Sequence, residues 1–299
     1  MHSYLQAIGL GKYVTKKQIK NLINEIADDK KVIDRYVDNG ITHVEISLKT
    51  GKHVGITYYG TEDKDGSFDM DYYFPYASGF QELEIYEVSM EKQIDSEMYK
   101  AVSEDVRLGV SIIFHVNNSF EYRKKIFEEK EQKINVEIDE LVGLSCDGKI
   151  LFPVSKTQKE IMQTIVASDN RNKLLHAARQ GDEEAMESLT MEDLDTYNMI
   201  NKRIQTEDVF SIVDSSFMPY GIQCDRYTIV GNIIEVVETV NDLTKEEMYL
   251  LYVECRDLTI TVVINKEDLL GEPAPGRRFK GVIWLQGKLT YNNSEMEKL

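Results

Sequence analysis

The densest group of residues with chemical potential is a set of carboxylates between 192 and 214. Glu192-Asp193-Leu194-Asp195 is followed by Glu207-Asp208 and by Asp214, with Arg203 between them. Carboxylates at this density can hold Mg²⁺ or Ca²⁺, or divide acid and base work between them. They also have a structural use. Thr190 with Asp193 has capping-box spacing, which puts Glu192 and Asp193 in a helix's first turn, where negative charge is favoured. Arg203 and Glu207 are four apart, the spacing of an ion pair on a helix face. The segment 208–227 that follows is too apolar for a free linker and is expected to pack as a joint, with a reversal at Pro219-Tyr220-Gly221. Trp284, the sole tryptophan, is expected near that joint. Asp195, Arg203, Asp208, Asp214, Tyr220 and Trp284 are therefore the candidate ligand-binding residues.

Other chemistries fit less well. Gly143-Leu144-Ser145-Cys146-Asp147-Gly148 has a serine in the style of a nucleophile elbow, but no glycine two residues after it; a hairpin at Asp147-Gly148 is expected instead. Cys224 stands beside Asp225, which disfavours a thiolate, and reads as a small core residue. His43 and His53 share a predicted hairpin but lie about 20 Å apart along it, too far for a common metal. His115 and His176 read as structural. Gly9-Leu10-Gly11-Lys12 lacks the spacing of a phosphate loop, and Gly276-Arg277-Arg278 reads as a solvated turn. No catalytic residue, metal set or cofactor is assigned.

The composition sets further bounds. A net charge of −17 opposes binding to a polyanion, so no nucleic-acid partner is expected. The first residues lack the pattern of a secretory signal, and the apolar runs are strand-length, so neither export nor a membrane partner is expected. Three widely spaced cysteines suit free thiols in a cytoplasmic protein.

The elements that must position these residues divide into three expected domains: 1–154, 155–224 and 225–299. Thr15 and Gln18 form a capping box for a helix whose apolar residues recur through Ile33, Tyr36 and Val37, broken near Asp28-Asp29 and stopped by Gly40. Alternating residues then predict strands from Ile41 and from Val54, with an odd loop placing Lys49 opposite His53 so that both apolar sets share a face. Strands around 68–74, 83–90, 106–116 and 134–144, and a helix over 122–132, complete a mostly antiparallel sheet with helices. The 155–224 connector is helical, with helices opening at Ser155, about Asn170, Asp182 and Thr190. Strands over 227–239, 248–255, 258–264 and 277–291 predict a small OB-like β-barrel, with Gly231, Gly281 and Gly287 at its bulges. The fold class is α+β.

Three stretches carry a family resemblance: Met1-His2-Ser3-Tyr4-Leu5-Gln6-Ala7-Ile8-Gly9, the run 195–231, and Gly276-Arg277-Arg278-Phe279-Lys280-Gly281-Val282-Ile283-Trp284-Leu285-Gln286-Gly287. They resemble an uncharacterised family of proteins from Gram-positive anaerobic bacteria, a domain of unknown function numbered thirty-eight eighty-one. The resemblance spans the chain and implies no reaction. The expected function is a non-enzymatic binding or scaffold protein recognising a protein or a small ligand. The alternative is a divalent-cation-dependent hydrolase or transferase using the 195–214 carboxylates.

Overall fold

A computed structural model describes residues 3–79, 88–92, 98–105, 110–128, 134–154, 170–171, 173–178, 180–204, 213–255 and 258–293. Thr15 caps α1 (Lys16–Glu25) as its spacing to Gln18 requires. The Gln18 amide donates to Thr15 Oγ1 at 3.2 Å, and the Thr15 amide donates back to Gln18 Oε1 at 3.1 Å. Ile19 and Leu22 are fully buried. The helix does not continue beyond Glu25. Ile33, Tyr36 and Val37 lie on β1 (Lys31–Asp38), which pairs antiparallel with β2 (Ile41–Lys49). Asp38 faces Ile41, and Asn39 and Gly40 between them take φ values of +49° and +80°. A two-residue turn with both centres left-handed is what Asn-Gly specifies. Gly40 thus turns a hairpin rather than stopping a helix.

Parity holds across the next turn. Lys49 faces Gly55, not His53, and the odd loop sets Ile46 opposite Tyr58 and Leu48 opposite Ile56 on β3 (Val54–Glu62). With β4 (Phe68–Ala77) these strands form a four-stranded antiparallel sheet in the order β1-β2-β3-β4.

The larger sheet takes strands from both ends of the chain. It contains β5 (Val88–Lys92), β6 (Tyr99–Asp105), β7 (Val110–Val116), β8 (Ile134–Leu151), β9 (Ser216–Pro219) and β10 (Arg226–Val240). It continues with β11 (Glu247–Cys255), β12 (Leu258–Asn265), β13 (Leu269–Leu270) and β14 (Arg278–Asn293). The pairing of β8 with β14 closes β8-β12-β11-β10-β14 into a ring of hydrogen-bonded strands. β8 runs unbroken through 143–148, so the expected hairpin at Asp147-Gly148 is absent. Gly148 faces Gly281 and Ser145 faces Ile283, a bulge in which Val282 meets both Cys146 and Asp147.

Strands buried on both faces read as continuous apolar runs, and β12 shows why. Ile260, Val262 and Ile264 join a core shared with Ile229, Leu251, Leu141 and Ile283, contributed by all five ring strands. Val263 points the other way, with Leu144, Leu250 and Trp284, into a second core. That second core is completed by α1, the 3₁₀ segment Ser3–Ile8 and one face of the small sheet. The small sheet's outer face carries Tyr36 and Tyr59 against Phe120 of α2 (Ser119–Glu128). The protein is therefore α+β with strands predominating.

In the middle of the chain, α3 (Glu183–Ile204) is one helix capped by Asp182, whose Oδ1 accepts from the Glu184 and Ala185 amides. Thr190 Oγ1 donates to the Met186 carbonyl at 2.8 Å, so it lies inside the helix and caps nothing. The helix expected from Ser155 lies outside the described residues.

Candidate ligand-binding site

The joint between the central helix and the last strands is ordered by pairing. β9 lies against β10, with Phe217 buried and stacked on Tyr227 at 4.3 Å between centroids. Gly221, at φ +69°, then reverses the chain and returns Gln223, Cys224 and Asp225 to the head of β10. There Arg226 faces Trp284 of β14, and the Leu285 amide donates to the Asp225 carbonyl at 2.9 Å. One residue further on, Gln286 pairs with His115 of β7 instead, while β8 holds the other edge of β14 throughout. β14 thus changes partner along one edge, from β10 to β7, and the sheet forks.

A cavity of about 190 Å³ opens at this fork. It is lined by Tyr4, Met98, Lys100, His115, Gln223, Asp225, Arg226 and Trp284. Lys100 is placed by β6, where it pairs with His115. The Asp225 side chain is nearly buried and its charge is met twice: Lys100 Nζ lies 3.1 Å from Oδ2, and Trp284 Nε1–H donates to the same oxygen at 3.1 Å. Lys100 also donates to Cys224 Sγ at 3.1 Å. Burial acts to lower the Lys100 pKa, but the thiol and the Asp225 carboxylate outweigh it and the net shift is upward. Tyr4 stacks on Trp284 at 5.5 Å, His115 lies 5.1 Å from Trp284, and the Arg226 guanidinium sits 5.2 Å over the Tyr4 ring. Burial pushes the Tyr4 hydroxyl up to about 12, against the pull of Arg226.

Of the residues singled out from sequence, Trp284 reaches this cavity. Tyr220 stands at its approach, 48% exposed, close enough to Tyr4 to bear on its ionisation. Asp195 is exposed on α3, and Arg203 ends the same helix. Asp214 is half-buried at the start of the crossing, where its carbonyl accepts from Arg278 Nη1 at 3.4 Å. Asp208 lies outside the described residues. Glu192 and Asp193 lie within α3, not in a first turn, and face Arg171 at 3.7 and 2.9 Å. Among the described residues, no three His, Cys, Asp or Glu side chains gather as a metal-binding group.

Two sequence expectations are corrected here. Cys224 is exposed rather than a core residue, because it sits in the reversal before β10 and not on the strand. Arg278 is 3% exposed rather than solvated. Its guanidinium donates to the carbonyls of Phe152 at 2.9 Å and Val213 at 2.8 Å, tying two chain segments to the edge of β14. Lys100, Tyr4, Asp225 and Arg226 were not singled out from sequence. For the last three an indirect signal exists, and for Lys100 none: the three stretches behind the family resemblance supply Tyr4, Asp225 with Arg226, and Trp284, which meet at this cavity.

A second polar cluster lies under α2. Tyr59 Oη is 2.7 Å from His43 Nδ1 and accepts from Arg123, whose guanidinium lies 5.3 Å over Tyr36 and 4.9 Å over Tyr59. Beside it, Glu45 faces Asp34 across the β1–β2 pair. Burial pushes the Glu45 carboxyl up to about 8; Asp34 and Glu121 reinforce the shift and Arg123 opposes it.

No curated protein and no solved structure matches this chain. Among known families, residues 5–287 match one described as a domain of unknown function, E. rectale gene description (DUF3881). That match covers nearly the whole length, and the chain belongs to this family.

Proposed function

We propose that this protein is a non-enzymatic binding protein that holds a small ligand in the cavity at the sheet fork. The observation that carries this reading is the convergence of charged side chains on a stacked Tyr4–Trp284 pair inside a concave site. Concave sites with a few convergent polar groups are the usual place for a ligand, and here those groups, Lys100, Asp225 and Arg226, stand beside the Tyr4 and Trp284 rings. At about 190 Å³ the cavity is smaller than the ~300–1,000 Å³ of drug-sized sites, so its occupant is small. Asp225 is committed to Lys100 and Trp284, an arrangement that shapes a site rather than one poised to move protons. The ring of five strands is read as a small OB-like barrel, supported by its closed pairing and by the shared core of its strands. A cytoplasmic location is read from three free thiols.

The alternative, a divalent-cation-dependent hydrolase or transferase using the 195–214 carboxylates, has less support, since Asp195 is exposed on α3 while Asp214 is half-buried at the start of the crossing, on a different segment. A thermal-shift screen against a metabolite library tests the proposal, read alongside the emission of the sole tryptophan. Saturable stabilisation with a change in Trp284 emission is expected. Ligands that stabilise the protein without altering that emission would place binding elsewhere. Stabilisation by Mg²⁺ or Mn²⁺ lost on Asp195→Asn would favour the hydrolase.

A further inference from the structure

We infer that the ligand of this cavity is a small organic anion carrying one negative charge, a monocarboxylate with a flat apolar body, held by Arg226. The inference rests on the reading of the cavity as a binding site and adds its chemistry.

The charges decide the sign. Lys100 and Asp225 neutralise each other at 3.1 Å. Arg226 lines the same cavity, and among the described residues no carboxylate forms an ion pair with it; its guanidinium lies over the Tyr4 ring. Its Nε is buried and, among the described residues, has no hydrogen-bond partner. A buried donor on a cation is costly to leave unmet, so a native protein that keeps one there has a use for it. The balance among Lys100, Asp225 and Arg226 is one positive charge. In a chain with a net charge of −17, a concave site with this sign stands against the background.

The same balance sets the amount of charge. One uncompensated guanidinium matches one carboxylate, and its fork of donors fits the two carboxylate oxygens. A phosphate dianion would bring one more negative charge than the site offsets, within an acidic molecule. Lys100 spends donors on Asp225 and Cys224 and has a third for the ligand. The body of the ligand is set by its walls. Tyr4 and Trp284 lie stacked and near-parallel at 27°, a surface that suits a planar or short apolar group, and Met98 adds an adaptable edge.

The test uses the full chain and four probes: benzoate, its neutral isostere benzamide, the cation benzylamine, and inorganic phosphate. Calorimetry gives the affinities, and the emission of Trp284 reports whether binding occurs at the cavity. Benzoate is expected to bind saturably and change the emission, at least about tenfold more tightly than benzamide or phosphate. Arg226→Gln is expected to remove that preference, while Arg226→Lys, which keeps charge but loses the fork, retains part of it. Unchanged thermal melting of both variants separates loss of binding from loss of fold. Equal binding of benzoate and benzamide, or a preference for phosphate or benzylamine, overturns the monocarboxylate and leaves the binding site standing. Benzoate affinity unchanged in Arg226→Gln overturns the role of Arg226. Failure of all four probes to bind overturns both the ligand class and the reading of the cavity as a small-ligand site.

Discussion

Lys100 carries two roles that a substitution can separate. It neutralises a nearly buried carboxylate and contributes a wall of the cavity. Lys100→Met leaves Asp225 with Trp284 as its remaining partner, and is expected to cost about 2 kcal/mol of stability, since half of a desolvated pair is left behind. Lys100→Met combined with Asp225→Asn is expected to recover part of the loss. Urea unfolding of the single and double variants measures the coupling; strict additivity would mean that the pair contributes nothing.

Glu45 offers a residue-scale test with a sign. Its pKa of about 8 in the folded protein stands above the ordinary 4.5. Between those values the folded state keeps a proton that the unfolded chain releases, so this group's contribution to stability falls as pH rises through the window and is flat above it. Glu45→Gln is expected to flatten the profile and to stabilise the protein by ~1–2 kcal/mol above about pH 8, discounted because the residue is only partly buried. Thermal melting across pH checks this; an unchanged slope between pH 5 and pH 8 would show that Glu45 titrates normally. Neither Glu45 nor Lys100 announced itself in the sequence. Each is an ordinary charged residue on a strand, and each gains its character from groups distant in sequence or on a neighbouring strand: burial beside Asp34 for one, Asp225 and Cys224 in the reversal before β10 for the other.

Among the elements, local chemistry was readable where a local interaction decides the outcome. The Thr15 capping box, the parity of the β2–β3 hairpin and the spans of β10, β11, β12 and β14 follow from spacing and alternation. Ile33, Tyr36 and Val37 also satisfy a helical period, and Gly40 suits a helix stop as well as a hairpin, so spacing alone extends the first helix past Glu25; the Asn39-Gly40 turn settles them as strand. Gly40→Ala tests that turn. Nothing lies within 4 Å of the added methyl, so the cost is that of the left-handed backbone alone, about 1–2 kcal/mol. A neutral result would mean that the turn relaxes to another type. Gly287 tests the opposite case. Its backbone runs against the Phe114 ring where β14 meets β7, and an added Cβ would enter that ring. Gly287→Ala is therefore expected to destabilise the protein and to shift Trp284 emission through the neighbouring β7. The same substitution without either effect would show that the β7–β14 contact yields easily.

On the scale of the whole molecule, the decisive contact is long-range. β8, from the first half of the chain, supplies a ring strand between β12 and β14. Nothing in the sequence marks that pairing, because register between strands more than a hundred residues apart is fixed by packing on both faces and not by any local signal. The cavity was illegible for the same reason: the sheet fork that forms it exists only when β7, β10 and β14 are together. A fragment of residues 213–299 lacks β8, and is expected to show no cooperative melting and to be degraded rapidly by protease. A sharp, protease-resistant fold from that fragment would mean that the ring closes without its fifth strand.

The central place of β14 has a consequence for how the protein is made. It holds β8 on one edge and β10 and β7 on the other, yet of the described strands it is the last in the chain. Until it leaves the ribosome, β8 and β10 each wait with an unpaired edge and an uncovered apolar face. Domains whose pairings close early can fold as they emerge, whereas here the closure of more than a hundred residues of loop precedes any reward. Closure of the ring is thus deferred until β14 has emerged, and β8 and β10 carry open strand edges until then. Open strand edges are templates for pairing with other chains, so the incomplete ring is more exposed to aggregation than the closed one.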